Sequence, residues 1–221
     1  MQQHNKAQRS ITVCGETLTG SHHICGFFDS REEQFDVILP FFKEGLTNNE
    51  EVITIWESNL HTKLRSKLSN AGLPVNESLL NGQLKILASE DTYIQDDVFV
   101  AQRMLDKLEK ALATSQDGPH GHVRACGDMV WALKNLPGTD ELMEYEAKIN
   151  LLTPKYDCTL ICMHNINTLS GRAIADLLAS HPYVILHGKI HVNPHYIEPT
   201  ELLKKFSGRR KDLLSSDLSV F

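Results

Sequence analysis

The most constraining feature of the sequence is a repeated alternation between short apolar runs and segments with helical periodicity. The apolar runs, which are typical of strands, are residues 23–28, 51–56, 84–87, 122–131, 158–166 and 183–190. The central runs are continuous rather than strictly alternating, which indicates strands covered on both faces. Strands that alternate with helices form parallel sheets through right-handed crossovers. The sequence therefore predicts an α/β fold, a three-layer sandwich with a mostly parallel central sheet.

The segments between these runs carry apolar stripes at helical spacing. The first predicted helix begins at Arg31, where Ser30 and Glu33 form an S-x-x-E capping box, and it ends near Thr47. Further helices are predicted from the stripes over about 60–71, 98–112 and 142–152, after Ser170, and from about Thr200 onwards.

The length of 221 residues suits one domain with a complete core, which we place at residues 21–206. Residues 1–20 are polar and aperiodic and are predicted to form a flexible lead-in, in which ITVCG is a candidate edge strand. Residues 207–221 are predicted to form a frayed C-terminal tail. We find no internal repeat.

Charge and cysteine content exclude several function classes. A net charge of −6 argues against a nucleic-acid partner, because phosphate contacts need clustered Lys and Arg. No run has the length of a membrane span, and the N-terminus has no apolar signal-peptide core. Five cysteines, an odd number without a CxxC pair, favour reduced thiols. We therefore expect a cytoplasmic protein with no membrane partner.

The turn after the first strand lacks the equipment of a phosphate-binding loop. It has neither the glycines nor the lysine that cradle a triphosphate, and Asp29, Glu32 and Glu33 make the following helix start acidic. We also find no G-x-S-x-G or G-x-G-x-x-G motif. We therefore predict that the chain is not an enzyme. A degenerate ATPase, a thiol-based enzyme and a ligand-free interaction module stay open as alternatives.

Two pairs of histidine and cysteine are candidate ligand contacts. His23 and Cys25 lie two apart on the first strand and therefore share a face. Cys162 and His164 have the same spacing near the end of an inner strand. Imidazole and thiolate both bind soft metals, so these four residues are the candidate metal ligands. The alternative is a buried cysteine acting as a small hydrophobe beside a histidine bonded to the backbone.

Asp128 and the histidines near the C-terminus each have a structural interpretation as well as a functional one. Asp128 follows an apolar strand, where it is expected to accept a hydrogen bond from Arg124 or from a ligand, or to form a structural salt bridge. A magnesium site there would lack the triphosphate that completes its shell. Histidines are also frequent near the C-terminus, and we interpret them as solvated loop residues: His181, His187, His191 and His195.

Taken in order, these segments resemble a known family. The segments are HHICGFFDSREE, EEQFDVILPFFKEGL, EVITIW, GQLKILASEDTYI, RACGDMVWAL, ELMEYEAKIN and HPYVILHGKIHVNPHYIEP. Together they resemble the MEDS domain, a sensory module named after methanogens, methylotrophs and the dichloromethane-responsive repressor DcmR. The resemblance spans roughly Ser21 to Phe206. It implies a fold related to the RecA and KaiC ATPases that has lost the phosphate-binding loop.

The resemblance also implies particular site residues. The H-x-C-x-[FY]-[FY] signature falls on His23, Cys25, Phe27 and Phe28, with Phe28 where a tyrosine is common. The two other patterns fall on Arg124, Gly127, Asp128, Met129 and Trp131, and on Tyr145, Glu146 and Asn150. With Cys162 and His164 added from the strand pattern, the predicted ligand-binding residues are His23, Cys25, Phe28, Arg124, Asp128, Met129, Trp131, Tyr145, Glu146, Cys162 and His164.

The function implied by the resemblance is small-molecule sensing. The expected ligands are hydrocarbon derivatives, such as one-carbon or halogenated compounds, bound at the carboxyl ends of the strands. Family members often carry an output module, for which this length leaves no room, so we expect signalling to a separate kinase, anti-sigma factor or transcription regulator. No cofactor is predicted. A metal or haem at the Cys/His residues and a homodimer are left open.

Overall fold

A computed structural model describes residues 9–134 and 136–217, with side chains as far as Gly208. The strands are β1 (Ser10–Val13), β2 (Glu16–Thr19), β3 (His22–Phe28), β4 (Glu51–Trp56), β5 (Leu84–Ala88), β6 (Ile94–Gln95), β7 (Val98–Phe99), β8 (Val123–Asp128), β9 (Cys158–Asn165), β10 (Tyr183–Leu186) and β11 (Lys189–Val192). The α-helices are α1 (Arg31–Thr47), α2 (His61–Asn70), α3 (Val75–Leu80), α4 (Ser89–Thr92), α5 (Ala101–Gln116), α6 (Leu142–Leu152), α7 (Gly171–Ser180) and α8 (Pro199–Asp217).

The central sheet has seven strands in the order β11-β10-β3-β9-β8-β4-β5. All neighbouring strands are parallel except the edge pair β10–β11, which is antiparallel. Consecutive strands β3 and β4 are separated in the sheet by β9 and β8, so the connection through α1 crosses over two strands. The prediction of a mostly parallel α/β fold is confirmed.

Helices cover both faces of the sheet and create two separate cores. On one face, Ile24 and Phe28 of β3 pack with α1, α2 and α3. On the other face, Cys25 and Phe27 of the same strand pack with Leu177 of α7, and the neighbouring strands pack with α5 and α6. Because side chains alternate along a strand, each strand contributes to both cores, as a three-layer sandwich requires.

The N-terminal segment differs from its prediction as a flexible lead-in. Residues 1–8 lie outside the described residues, but β1 and β2 form an antiparallel hairpin. Ile11 and Val13 of β1 are buried against α1, and the backbone N–H and hydroxyl of Thr12 donate to the Glu44 carboxylate at 3.0 and 2.8 Å. Side chains of β1 are alternately exposed and buried, as in a strand with one face against the core. The polar composition of the segment had instead indicated a flexible lead-in.

Other boundaries differ near loops. The apolar run over 122–131 is strand only as far as Asp128, and a 3₁₀ helix follows over Met129–Lys134. The run over 183–190 is a hairpin rather than one strand, because His187 and Gly188 both have positive φ and reverse the chain. Helix α8 continues to Asp217, where a tail was predicted from residue 207. Within the described ranges, no helix is both long and apolar enough to cross a membrane.

Candidate functional site

Four buried polar side chains meet on the face of the sheet that α6 covers, beside the amino-terminal half of β3. They are His23 of β3, Glu146 of α6, Cys162 of β9 and His181, which directly follows α7. One donor atom from each lies within 4.8 Å of the donor atoms of the other three. We call these four residues the buried cluster.

The sheet register explains why these residues meet. β3 and β9 are parallel neighbours in which Cys25 pairs with Cys162, so His23 and Cys162 lie on the same face. On the other side of β3, Tyr183 pairs with Ile24, so His181 comes close to His23, with ring centroids 4.2 Å apart. Helix α6 packs over this face and supplies Glu146.

The cluster is centred on one carboxylate oxygen. Oε2 of Glu146 lies 3.2 Å from Nε2 of His23, 3.4 Å from Nε2 of His181 and 3.4 Å from Sγ of Cys162. Sγ of Cys162 also lies 3.5 Å from Nε2 of His23. Two imidazoles, a thiol and a carboxylate therefore converge in a space from which bulk water is excluded.

The other ring nitrogens of the two histidines fix their orientation. The Asn150 amide nitrogen donates to the carbonyl of Ser180 at 2.6 Å, so its Oδ1 is free to accept from Nδ1 of His23 at 3.2 Å. Nδ1 of His181 donates to the carbonyl of Leu177 at 2.8 Å. With Nδ1 engaged in this way, Nε2 of each imidazole points toward Glu146.

Burial controls the charge of these groups. Burial lowers the pKa of His23, and the adjacent His181 lowers it further, so the imidazole is neutral near pH 7. Burial raises the pKa of the Cys162 thiol well above its usual range, and the Glu146 carboxylate adds to that shift. Burial likewise raises the pKa of the Cys25 thiol well above its usual range. These environments do not favour a reactive thiolate.

An apolar cavity of about 120 Å³ lies above the cluster, at the ends of β8 and β9. Its walls include Met129, Leu142, Met143, Leu169, Ala173 and Leu177. His164, two residues beyond Cys162, also lines it, and its buried Nε2 has no hydrogen-bond partner among the described residues. Burial lowers the pKa of His164 to about 4, so this group is a neutral polar contact in an apolar wall.

A second apolar cavity, of about 260 Å³, lies between α5 and strands β4 and β8. Ile53, Met104, Ala111 and Ala125 are among its lining residues. None of the predicted site residues lines it. We therefore take the smaller cavity, which is lined by the predicted residues Met129 and His164, as the candidate ligand site.

The sheet separates part of the predicted site from the cluster. Arg124 lies on the α1 face, where it donates to the Glu50 carboxylate, to Glu44 at 2.7 Å and to the carbonyl of Phe41 at 3.1 Å. Phe28 packs in the same α1-side core. The predicted grouping of Arg124 and Phe28 with His23 and Cys162 in one pocket is therefore wrong.

Asp128 is also on the α1 face, and its partner is Arg31 rather than Arg124. The two side chains form an ion pair at 2.7 Å, and the Arg31 guanidinium stacks over Trp56 at 4.9 Å. Burial raises the pKa of Asp128, and Arg31 counteracts part of that shift. Of the two interpretations offered by the sequence, the structure has the salt bridge.

The remaining predicted residues lie on the same face of the sheet as the buried cluster, but they contact other groups. Trp131 stacks on Tyr93 with ring centroids 4.7 Å apart, and Tyr145 meets Phe99 edge-on at 5.7 Å. Met129 lines the candidate cavity. Cys25 packs against Leu177. The structure thus brings together His23, Glu146 and Cys162, and places Met129 and His164 at the cavity above them.

His181 is the cluster member that the sequence interpretation missed. It was predicted to be a solvated loop residue, but it is 0% exposed, whereas His187, His191 and His195 are exposed as expected. The available signal was its position immediately before the apolar strand β10, which has a partner on both edges. The prediction of a loop relied on composition alone, because the segment around His181 is rich in histidine and proline.

The turn between β3 and α1 has the predicted N-cap at Ser30, although Glu33 reaches back to Asp29 rather than to Ser30 itself. The backbone N–H of Glu33 donates to the Ser30 hydroxyl at 3.2 Å, and the N–H of Asp29 donates to the Glu33 carboxylate at 2.7 Å. In phosphate-binding loops the corresponding amides bind the ligand. Here side chains of the chain itself occupy them.

Comparisons with known proteins agree with this description. The chain is 24% identical over 170 residues to the transcriptional repressor DcmR of Methylorubrum extorquens, covering 76% of this chain and 61% of that protein. A KaiC-like protein from Pyrococcus horikoshii superposes with a TM-score of 0.57 at 11% identity, covering 76% of this chain and 72% of the other. The flagellar accessory protein FlaH of Methanocaldococcus jannaschii superposes with a TM-score of 0.51 at 13% identity, covering 81% and 82%.

These structural likenesses establish a KaiC-like fold. The sequence match to DcmR extends over less than two thirds of that repressor, so it concerns a part of the protein. The model of the family MEDS, the MEthanogen/methylotroph, DcmR Sensory domain, matches residues 22–182, which hold β3, the cavity and all four cluster residues. The chain belongs to the MEDS sensory-domain family.

Proposed function

We propose that this chain is the sensing domain of a regulatory system and that a small, mostly apolar molecule binds in the cavity beside His164. The observation that carries the proposal is the cavity itself, with apolar walls and one buried imidazole nitrogen that lacks a partner. A cavity of about 150 Å³ is enough to hold benzene, so a volume of about 120 Å³ suits a molecule of a few heavy atoms. Short alcohols, aldehydes and haloalkanes have this size and polarity.

Helix α7 provides a route from the cavity to the surface. Ala173 and Leu177 of α7 line the cavity, and the carbonyl of Leu177 also holds His181. Helix α7 in turn packs against α8. A ligand that favours one position of α7 would shift the population of that position and so change the surface offered to a regulator. The similarity to a transcriptional repressor supports an output in transcriptional control.

The proposal is tested by titrating ¹⁵N-labelled protein with one- and two-carbon alcohols, aldehydes and haloalkanes. Ala173→Leu fills the candidate cavity, and Ala111→Leu fills the second cavity as a matched control. We expect saturable shifts in α7 and the end of β9 for at least one compound, abolished by Ala173→Leu and retained in Ala111→Leu. Failure of every compound to bind, or loss of binding only in Ala111→Leu, would overturn the proposal.

A further inference from the structure

We propose that the buried cluster of His23, Glu146, Cys162 and His181 is a closed, four-ligand site for a divalent cation of the zinc class. The proposal concerns the cluster alone and does not rest on ligand binding in the cavity. Its basis is the convergence of four donor atoms from four separate elements of the fold.

The spacing of the donors matches tetrahedral coordination. Metal–ligand bonds of ~2.0 Å to nitrogen or oxygen and ~2.3 Å to sulfur place neighbouring ligands of a tetrahedron ~3.3–3.8 Å apart. The four closest donor separations, through Glu146 Oε2 and His23 Nε2, are 3.2, 3.4, 3.4 and 3.5 Å. Since no separation exceeds 4.8 Å, small side-chain rotations complete the tetrahedron.

The arrangement of the ligand atoms suits a cation. Nδ1 of each histidine is engaged by an oxygen acceptor, and Nε2 of both His23 and His181 faces the same carboxylate oxygen of Glu146. The Cys162 S–H offers one proton, which satisfies one of these contacts. Nε2 of His181 and Oε1 of Glu146, both fully buried, have no hydrogen-bond partner among the described residues. A cation at the centre would be coordinated by all four ligand atoms at once.

The supporting groups are those that metal sites use. Ligand histidines commonly donate their second ring N–H to an amide, carbonyl or carboxylate oxygen, which fixes the ring. Asn150 does this for His23, and the Leu177 carbonyl does it for His181. Asn150 is itself held by the Ser180 carbonyl, so the outer partners connect α6 with the end of α7.

The donor set selects the class of cation. A thiolate with two imidazoles and one carboxylate suits Zn²⁺ or Co²⁺ and does not suit Mg²⁺ or Ca²⁺, which prefer oxygen ligands. Four protein ligands leave no open position, as in structural zinc sites. Binding of Zn²⁺ displaces the Cys162 thiol proton to solvent, because the ligand is the thiolate.

The test uses the chelator-treated chain reconstituted with Zn²⁺ or Co²⁺. We expect one metal per chain by elemental analysis, and X-ray absorption of the zinc form with one sulfur at ~2.3 Å and three nitrogen or oxygen neighbours at ~2.0 Å. The cobalt form should show tetrahedral d–d bands and a thiolate-to-cobalt charge-transfer band. These measurements need no variant, so they stay decisive even where a substitution prevents folding.

Variants then assign the ligands. Cys162→Ser should abolish the charge-transfer band and weaken cobalt binding at least about tenfold. Cys126→Ser is the matched control, because Cys126 is also a buried thiol but lies on the opposite face of the sheet. Substoichiometric zinc, an absorption spectrum without sulfur, or a charge-transfer band that survives in Cys162→Ser but not in Cys126→Ser would overturn the proposal.

Discussion

The guanidinium of Arg124 and the carboxylate of Glu146 are both fully buried, yet they face different groups. Arg124 donates to two carboxylates and a carbonyl and stacks over Phe41 at 4.8 Å, so its charge is matched by the protein. Glu146 accepts the S–H of Cys162 and faces Nε2 of two imidazoles, while its Oε1 has no hydrogen-bond partner among the described residues. A buried charge with matched partners stabilises one conformation, whereas the incompletely partnered carboxylate of Glu146 is what the proposed cation site would use.

This contrast predicts a structural role for Arg124. Arg124→Met leaves the buried Glu50 carboxylate without its main partner, so we expect the free energy of unfolding to fall by about 3–5 kcal/mol. Urea denaturation monitored by circular dichroism measures the change. As a control, Arg172→Ala removes the exposed ion pair with Asp176 and should cost at most about 0.5 kcal/mol. If the two variants cost the same, the assigned role of Arg124 is wrong.

At the scale of elements, side chains that close turns connect successive strands and helices. Glu90 of α4 accepts hydrogen bonds from the backbone N–H and the hydroxyl of Ser58, at 3.0 and 2.6 Å, and so ties α4 to the turn after β4. Burial by itself would raise the pKa of Glu90, but the hydrogen bonds from Ser58 outweigh it and lower the pKa from 4.5 to about 2. The carboxylate form therefore stabilises the folded chain.

The sign of the pH dependence follows from this shift. Because the folded pKa is depressed, the stabilisation is complete above about pH 4.5 and is lost as the pH falls toward 2. Glu90→Gln should thus be less stable than the parent at pH 7, by less than about 1 kcal/mol for this exposed side chain, and the gap should close near pH 2. Unfolding curves between pH 2 and 7 test it. The difference in free energy of unfolding caused by Glu90→Gln should be smaller when Ser58 is also replaced by Ala. A difference that does not change with pH would contradict the stabilising role of the Glu90 carboxylate.

Periodicity located most elements because it reports which faces are buried. The bounds of α1, β4 and α6 follow from their apolar patterns and from the Ser30 capping box. The hairpin of β10 and β11 depends instead on positive φ at His187, which no apolar pattern reveals.

The candidate site was predictable only in part, for a reason of geometry. His23 and Cys162 were identified because each has chemistry of its own and a place on a strand. Which residues share a face depends on strand order and register, which short motifs do not encode. For that reason His181 was missed, and Arg124 was grouped with residues on the far side of the sheet.

At the scale of the whole molecule, the KaiC-like fold has a turn after β3 whose backbone amides are bound by the chain's own side chains, whereas in phosphate-binding loops such amides bind the ligand. The amides of Asp29 and Glu33 bind side chains of the turn, and Arg31 pairs with Asp128 across the start of α1. Three acidic residues, Asp29, Glu32 and Glu33, lie at the same helix start. An incoming triphosphate would have to break two hydrogen bonds and an ion pair while approaching like charge.

We therefore expect no saturable binding of Mg-ATP, with any affinity weaker than a dissociation constant of about 1 mM, as measured by isothermal titration calorimetry. Glu33→Ala releases the Asp29 amide and removes one negative charge, yet it should not create binding, because the glycines and lysine of a phosphate loop are still missing. The opposite result would be a saturable, magnesium-dependent heat that disappears in Asp128→Asn. It would mean that Arg31 releases Asp128 to hold magnesium, and it would favour the degenerate ATPase over the sensor.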